Sequence, residues 1–274
     1  MLGVILGDVL YIDGGDLTHL NSDATFVYLP SNSTYSVDLS ESWEPKSVQF
    51  NAIDKGDCPV LNRPNLWPAQ DGKSYYSYNG DVSQARPNNT RNPPNQAELW
   101  QFTPNGIKDG TWRRAGYAPT TFIQSQGSKS AFVDGSVHIL GGEVTWRTTN
   151  LFGGKTSYSN SANGILSYDA NNETWQNRSM AAFAPSGWWL EGELQWASIP
   201  GGTGLVVALG GTTALPGYPR NGNELVKLDQ VGLFDPVSGE WSLQSTTGSI
   251  PPSRQSGCSV GVPGDNGTYE VGDC

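Results

Sequence analysis

The chain has 274 residues, enough for one large all-β domain or two ordinary ones. Its net charge is −10 and its pI is near 4.6, which argues against a nucleic-acid surface because phosphate contacts need clustered Lys and Arg. No apolar run reaches the roughly 18 residues of a membrane span, so no span is expected in this chain. Gly and Pro together make up about a fifth of the residues and are spread evenly, which predicts many turns between short strands. Ten Trp predict an aromatic-rich core.

In chain order, Val4-Ile5-Leu6-Gly7-Asp8 reads as the end of a strand and its turn. Leu10-Tyr11-Ile12-Asp13 is a second strand, closed by Gly14-Gly15. Thr34-Tyr35-Ser36-Val37-Asp38 is a third, and Trp43 is expected to open a fourth. The series then recurs. Tyr76-Ser77-Tyr78-Asn79-Gly80 leads to Glu98–Phe102 and Trp112. Val137–Leu140 with Gly141-Gly142 leads to Ile165–Asp169 and Trp175. Val206–Leu209 with Gly210-Gly211 leads to Val231–Asp235 and Trp241. The second glycines are 65, 62 and 69 residues apart and the tryptophans 69, 63 and 66. Asn79 replaces a glycine, a mild change because Asn best tolerates positive φ. Within a single domain over 1–274, the units span about 1–50, 65–115, 126–180 and 193–245, with a partial one at 257–271.

Glycine pairs and outer-strand tryptophans in this order resemble kelch repeats, each of which forms one four-stranded blade of a β-propeller, and the chain is similar to the fungal kelch-type, galactose-oxidase-like propeller proteins. The resemblance implies an all-β, kelch-type β-propeller of about four blades plus a partial one, an incomplete ring. Kelch propellers usually have six or seven blades, so a truncated member is expected. The period exceeds the roughly 50 residues of kelch, and the excess sits in loops. Second strands are expected inside the propeller, apolar on both faces, with Gly14, Gly15, Gly80, Gly141, Gly142, Gly210 and Gly211 ending them. Trp43, Trp112, Trp175 and Trp241 are expected to fill the spaces between blades.

Antiparallel parity sorts the connections. Turns between strands one and two, and between three and four, emerge on one side and are short. The loops between strands two and three and the blade-to-blade connections emerge on the other and are long. Long loops on a rigid scaffold are where binding residues gather. The candidate binding face therefore carries Trp146, Arg147, Phe152, Tyr158, Trp188, Trp189, Tyr218 and Arg220. These aromatics either offer platforms to a glycan or protein ligand or pin the loops onto the scaffold.

No catalytic constellation is visible. The galactose-oxidase resemblance implies a copper site of two His and two Tyr, one Tyr crosslinked to Cys. This chain has only His19, in a loop, and His138, within a buried strand, and neither matches such a motif. Zinc spacing is absent, and no cofactor is expected. Glu191 and Glu193 flank Gly192 as a hydrolase pair might, but without an oriented partner they read as a solvated edge. Cys58, Cys258 and Cys274 read as free or partly buried thiols, and no signal peptide is visible. Sequons occur at Asn32, Asn88, Asn172, Asn177 and Asn266. They fit a secreted or cell-surface parent, though Asn177 shares a strand side with Trp175 and is a poor acceptor. The expected function is a non-catalytic binding or scaffold propeller. The alternatives are a copper radical oxidase whose site lies in missing blades, or an intracellular kelch scaffold.

Overall fold

The computed structural model describes residues 2–83, 93, 95–152, 159–186, 188–199, 202–213 and 224–273, with the side chains of Phe152, Asn266 and Asp273 excepted. The fold is all-β and propeller-type, built of four-stranded antiparallel sheets. Blade one runs Leu2–Leu6, Val9–Asp13, Ser33–Asp38, Asn51–Asp54. Blade two runs Asn65–Pro68, Tyr75–Tyr78, Glu98–Pro104, Gly110–Tyr117. Blade three runs Lys129–Val133, Ser136–Leu140, Ile165–Asp169, Thr174–Arg178. Blade four runs Glu193–Ala197, Leu205–Leu209, Gln230–Phe234, Trp241–Ser245. A two-stranded hairpin, Ser259–Pro263 and Tyr269–Asp273, follows. The chain divides into two compact units, Met1–Gln126 with Val144–Thr156, and Gly127–Glu143 with Ser157–Cys274.

In the first unit, the first strands of blades one and two lie side by side. In the second, the first strands of blade three, blade four and the hairpin follow one another in the same way. The first strand is thus the inner one, and the fourth is the exposed outer one. The continuous apolar burial expected of second strands holds in blade three, where Val137, His138, Ile139 and Leu140 are all buried. In blades one and four the pattern alternates instead, as in a sheet whose two faces meet different surroundings.

The glycine pairs end the second strands in left-handed backbone. Asn79 adopts φ 66° and Gly80 103°, matching Gly141 at 64° and Gly142 at 111°, so Asn79 bears out its reading as a tolerated stand-in. The second glycine is small because the connection that enters its own blade crosses it. A Cβ on Gly80 would lie 2.6 Å from the Asn62 carbonyl oxygen, and one on Gly211 2.6 Å from that of Leu190. The second glycine also donates its N–H to the connection that leaves its blade: Gly80 to Ser125, Gly142 to Trp189 and Gly211 to Arg254, at 2.8, 3.0 and 2.9 Å.

In blades one and three the aspartate ending the third strand, and in blade four the aspartate directly after it, starts the next turn. Asp38, Asp169 and Asp235 accept backbone N–H bonds from Ser40, Asn171 and Val237 at 2.9, 2.8 and 2.9 Å. These are Asx-turns. The bonds hold all three carboxyls below their usual range, side-chain donors Ser40, Asn172 and Ser238 contributing most.

Each outer-strand tryptophan in blades two to four sits opposite an aromatic residue of the third strand: Trp112 and Phe102, Trp175 and Tyr168, Trp241 and Phe234. Ring centroids are 5.2, 4.5 and 5.2 Å apart, cross-strand pairs that lock register. Trp112 and Trp241 pack against the apolar clusters of their units. Trp43 corrects the expectation. It lies in a loop, 49% exposed, because the fourth strand of blade one starts only at Asn51, after a turn in which Val48 N–H bonds back to the Glu44 carbonyl. Ile53, 3% exposed, packs into the cluster instead.

Candidate functional site: the long-loop face

Two features of the first unit stand out on this face. The segment from Asp16 to Asn32, one of the long loops between a second and a third strand, is a hairpin of strands Asp16–Leu20 and Phe26–Pro30. Its turn places Ala24 at φ 63° and closes with the Asn21 N–H on the Thr25 carbonyl at 2.9 Å, while Asp23 accepts from the Thr25 N–H at 3.0 Å. Leu20 pairs directly with Phe26, and Thr18 with Tyr28. Residues two apart share a face, so Thr18, Leu20, Phe26 and Tyr28 form one surface. Leu20 and Phe26 are 63% exposed and Tyr28 53%. Apolar side chains gathered on one exposed face differ from singly scattered ones and mark an interaction surface.

The second feature is a charged network at the glycine-pair end of the blades. Asp81, directly after Gly80, is fully buried. Its carboxylate is held by ionic contact with Arg147 Nη2 and with Arg63 Nε, the latter at 3.4 Å. Both guanidinium groups donate to the same Gln126 Oε1, at 2.7 Å from Arg63 and 2.8 Å from Arg147. Asp16, directly after Gly15, accepts from Asn62 Nδ2 at 3.3 Å and adds its charge to the group. Burial pushes the Asp81 carboxyl above its usual range, and Arg147 and Arg63 pull it part of the way back. Arg63 sits at φ 53° and remains 39% exposed, so one edge of the network meets solvent. Asp16 and Asp81 share the position after the glycine pair, a signal that the repeat alignment carries.

Other sequence-singled residues fall differently. Trp146 is half-buried. Phe152 belongs to a short 3₁₀ turn, Asn150–Phe152. Tyr158, Tyr218 and Arg220, with the Asn88 sequon, lie outside the described residues. Trp188 and Trp189, in the second unit, are fully buried and so are unavailable as stacking platforms. The Trp189 indole N–H donates to the Gly210 carbonyl at 2.9 Å, its own carbonyl receives the Gly142 N–H, and its ring lies in the apolar cluster. It anchors the connection between blades three and four, as large aromatic side chains do wherever they can bury area.

The two glutamates considered as a hydrolase pair are each engaged. Glu193 takes Lys129 Nζ at 2.9 Å, and Glu191 accepts from the Ser256 hydroxyl at 2.9 Å. His138 is buried against Phe234, and its Nδ1 meets the Ser167 hydroxyl at 2.8 Å. Burial, with the Arg178 charge, brings it down to about 4. His19 is exposed on the hairpin. No group of three His, Cys, Asp or Glu able to hold a metal occurs among the described residues. Cys58 is a buried thiol. Cys258 is disulfide-bonded, which corrects the expectation of thiols only. Asn32, Asn172 and Asn177 are exposed, and the Asn177 amide donates to the Asn163 carbonyl at 3.0 Å.

No protein-family model and no curated protein matches the chain. Among solved structures it is similar to YjhT, with a TM-score of 0.59 at 14% identity, over 99% of this chain and 79% of that one. The likeness is one of fold. No helix among the described residues is long and apolar enough to cross a membrane.

Proposed function

We propose that the chain is a non-catalytic, kelch-type propeller that binds a protein partner through its long-loop face. The observation that carries this reading is the coherent exposed surface of Leu20, Phe26 and Tyr28, projected by a hairpin from the rigid first blade. Aromatic residues such as Phe26 and Tyr28 are enriched in the cores of protein interfaces. The burial of Trp188 and Trp189 removes the stacking platforms on which a glycan reading of this face depended. The Arg63 edge supplies a charged flank. A disulfide at Cys258 and exposed sequons at Asn32 and Asn172 support placement in an oxidising, secretory compartment.

The test is a triple substitution, Leu20→Ser, Phe26→Ser and Tyr28→Ser, on a hairpin face that contributes nothing to the core. The variant should melt like the parent. Partners photo-crosslinked from residue 18 in the native host should be lost from the variant and kept by a control substituted at Val237. Equal crosslinking by parent and variant would overturn the reading, as would peroxide release from an alcohol substrate by the copper-loaded protein.

A further inference from the structure

The seam between blades three and four changes character along its length. The face of blade three that meets blade four is built of cross-strand rows. Leu140 pairs with Ile165, which pairs with Arg178. The next row is His138, Ser167 and Gln176, and the one after it Ser136, Asp169 and Thr174. Leu140 and Ile165 are fully buried in the apolar cluster. The two following rows are polar at all six positions. They floor a cleft of about 320 Å³ whose opposite wall is Trp196, Thr203, Pro236 and Val237 of blade four. That volume is at the small end of small-molecule sites, roughly 300–1,000 Å³.

His138, at the inner end of this face, is buried and needs a partner, whereas Asp134, Thr174 and Gln176 at its outer end are exposed. Part of the face is satisfied internally. His138 bonds Ser167, Asn172 holds Asp169 Oδ2 at 2.7 Å, and Arg178 Nη2 reaches Gln176 Oε1 at 3.3 Å. The Ser136 and Thr174 hydroxyls, the Gln176 amide NH₂ and the Asp134 carboxylate at the rim remain to face the cleft. Strands stand about 4.8 Å apart and same-face residues about 6.7 Å along a strand, so these groups form a two-row grid the size of a single ring. Trp196 supplies an apolar aromatic wall opposite.

We propose that this cleft is a binding site for a neutral saccharide residue. One edge of a pyranose carries hydroxyls that both donate to carboxylate and accept from amide, which suits Asp134, Ser136, Thr174 and Gln176. Its C–H face suits the Trp196 wall. Two carboxylates, Asp134 and Asp169, against the one guanidinium of Arg178 disfavour an anionic sugar. The site lies at the short-turn end of the blades and is independent of the protein-binding reading.

The experiment is calorimetric and NMR titration of the full chain with the methyl glycosides of glucose, galactose, mannose and N-acetylglucosamine, with methyl glucuronide as the anionic control. At least one neutral probe should bind saturably and quench tryptophan fluorescence. Gln176→Trp, at an exposed outer-strand position, should abolish binding while leaving the melting curve intact. Asp134→Asn should weaken binding about fivefold or more through the lost charged hydrogen bond. The triple hairpin variant should bind the sugar normally, which separates the two sites. Absence of binding by every neutral probe, preference for the glucuronide, or full binding by Gln176→Trp would each overturn the proposal.

Discussion

The two units fill equivalent seams with different chemistry. In the first, between blades one and two, Tyr11, Tyr75, Phe102 and Trp112 form a ring cluster with centroids 5.1–5.7 Å apart. Beside it lies a buried ion pair, Lys55 Nζ to Asp13 Oδ1 at 2.7 Å, both ends nearly inaccessible. Thr34 donates to Asp13, and the Trp112 indole N–H donates to Thr34 at 3.0 Å. In the second unit the seam is richer in aliphatic side chains: Leu140, Ile165, Leu194 and Val206 pack around Trp189, beside the rings of Phe183, Phe234 and Trp241. The key difference sits at one repeat position. Tyr11 and His138 align, and the phenol fills its seam where the smaller imidazole leaves the cleft open. At the next strand, Ser36 of the first unit is covered by the Ile107 carbonyl, to which its hydroxyl donates. Its counterpart Ser167 turns to His138 instead. A repeat thus fixes the backbone of a seam and leaves its contents to individual side chains.

The sharpest break of this comparison is in the aliphatic seam. Trp189→Ala should cost about 3–5 kcal/mol from the loss of a fully buried ring, read as a lower urea midpoint. An unchanged midpoint would show that the connection is not anchored there. In the aromatic seam, Lys55→Met should also cost about 3–5 kcal/mol, because it strands the buried Asp13 charge. The double variant Lys55→Met, Asp13→Leu should recover most of that loss. A double variant as unstable as the single one would mean that the pair's packing, not its charge, matters.

The imidazole tests the second seam by pH. With its folded pKa near 4 against about 6.5 in the unfolded chain, His138 contributes stability that is complete above pH 6.5. That contribution is lost as pH falls through 6.5 towards 4, on the order of 3 kcal/mol in all. His138→Gln should flatten this part of the stability profile, and a profile unchanged by the substitution would mean that the imidazole titrates alike in the folded and unfolded chain. The smallest effect should come from Trp43→Ala, within about 0.5 kcal/mol for an exposed side chain. Trp112→Ala, at the sister position, should cost several times more.

The fold was legible because its determinants are local. A glycine pair needs left-handed backbone wherever it occurs, and Asp38, Asp169 and Asp235 close turns with bonds two residues away. The Trp–aromatic pairs follow from strand register once the turns are set. Where the local signal is diluted, pattern and structure diverge. Trp43 sits at the right interval but before an extra turn, so its strand began eight residues later and Ile53 took the buried place. The alternation in Asp16–Pro30 is weak, and its strands emerge from a turn at Ala24 that carries no glycine.

The site was less legible, for a different reason. Arg147 reads as a long-loop residue of the candidate binding face, yet its partners Asp81 and Gln126 come from a strand and a connection, and its meaning lies in that convergence. Trp188 and Trp189 have the composition of a binding platform and the position of an anchor, and burial alone separates the two. The sequence by itself determined the blade count, the turn chemistry and the side on which the long loops emerge, since each depends on residues within a few positions of one another. Tertiary structure decided which aromatics are buried, that Asp81 lies between two arginines, and that one seam is packed while the other holds a polar cleft. Those outcomes depend on which side chains from distant strands meet, and on the volume left when an imidazole stands where a phenol would have closed the gap.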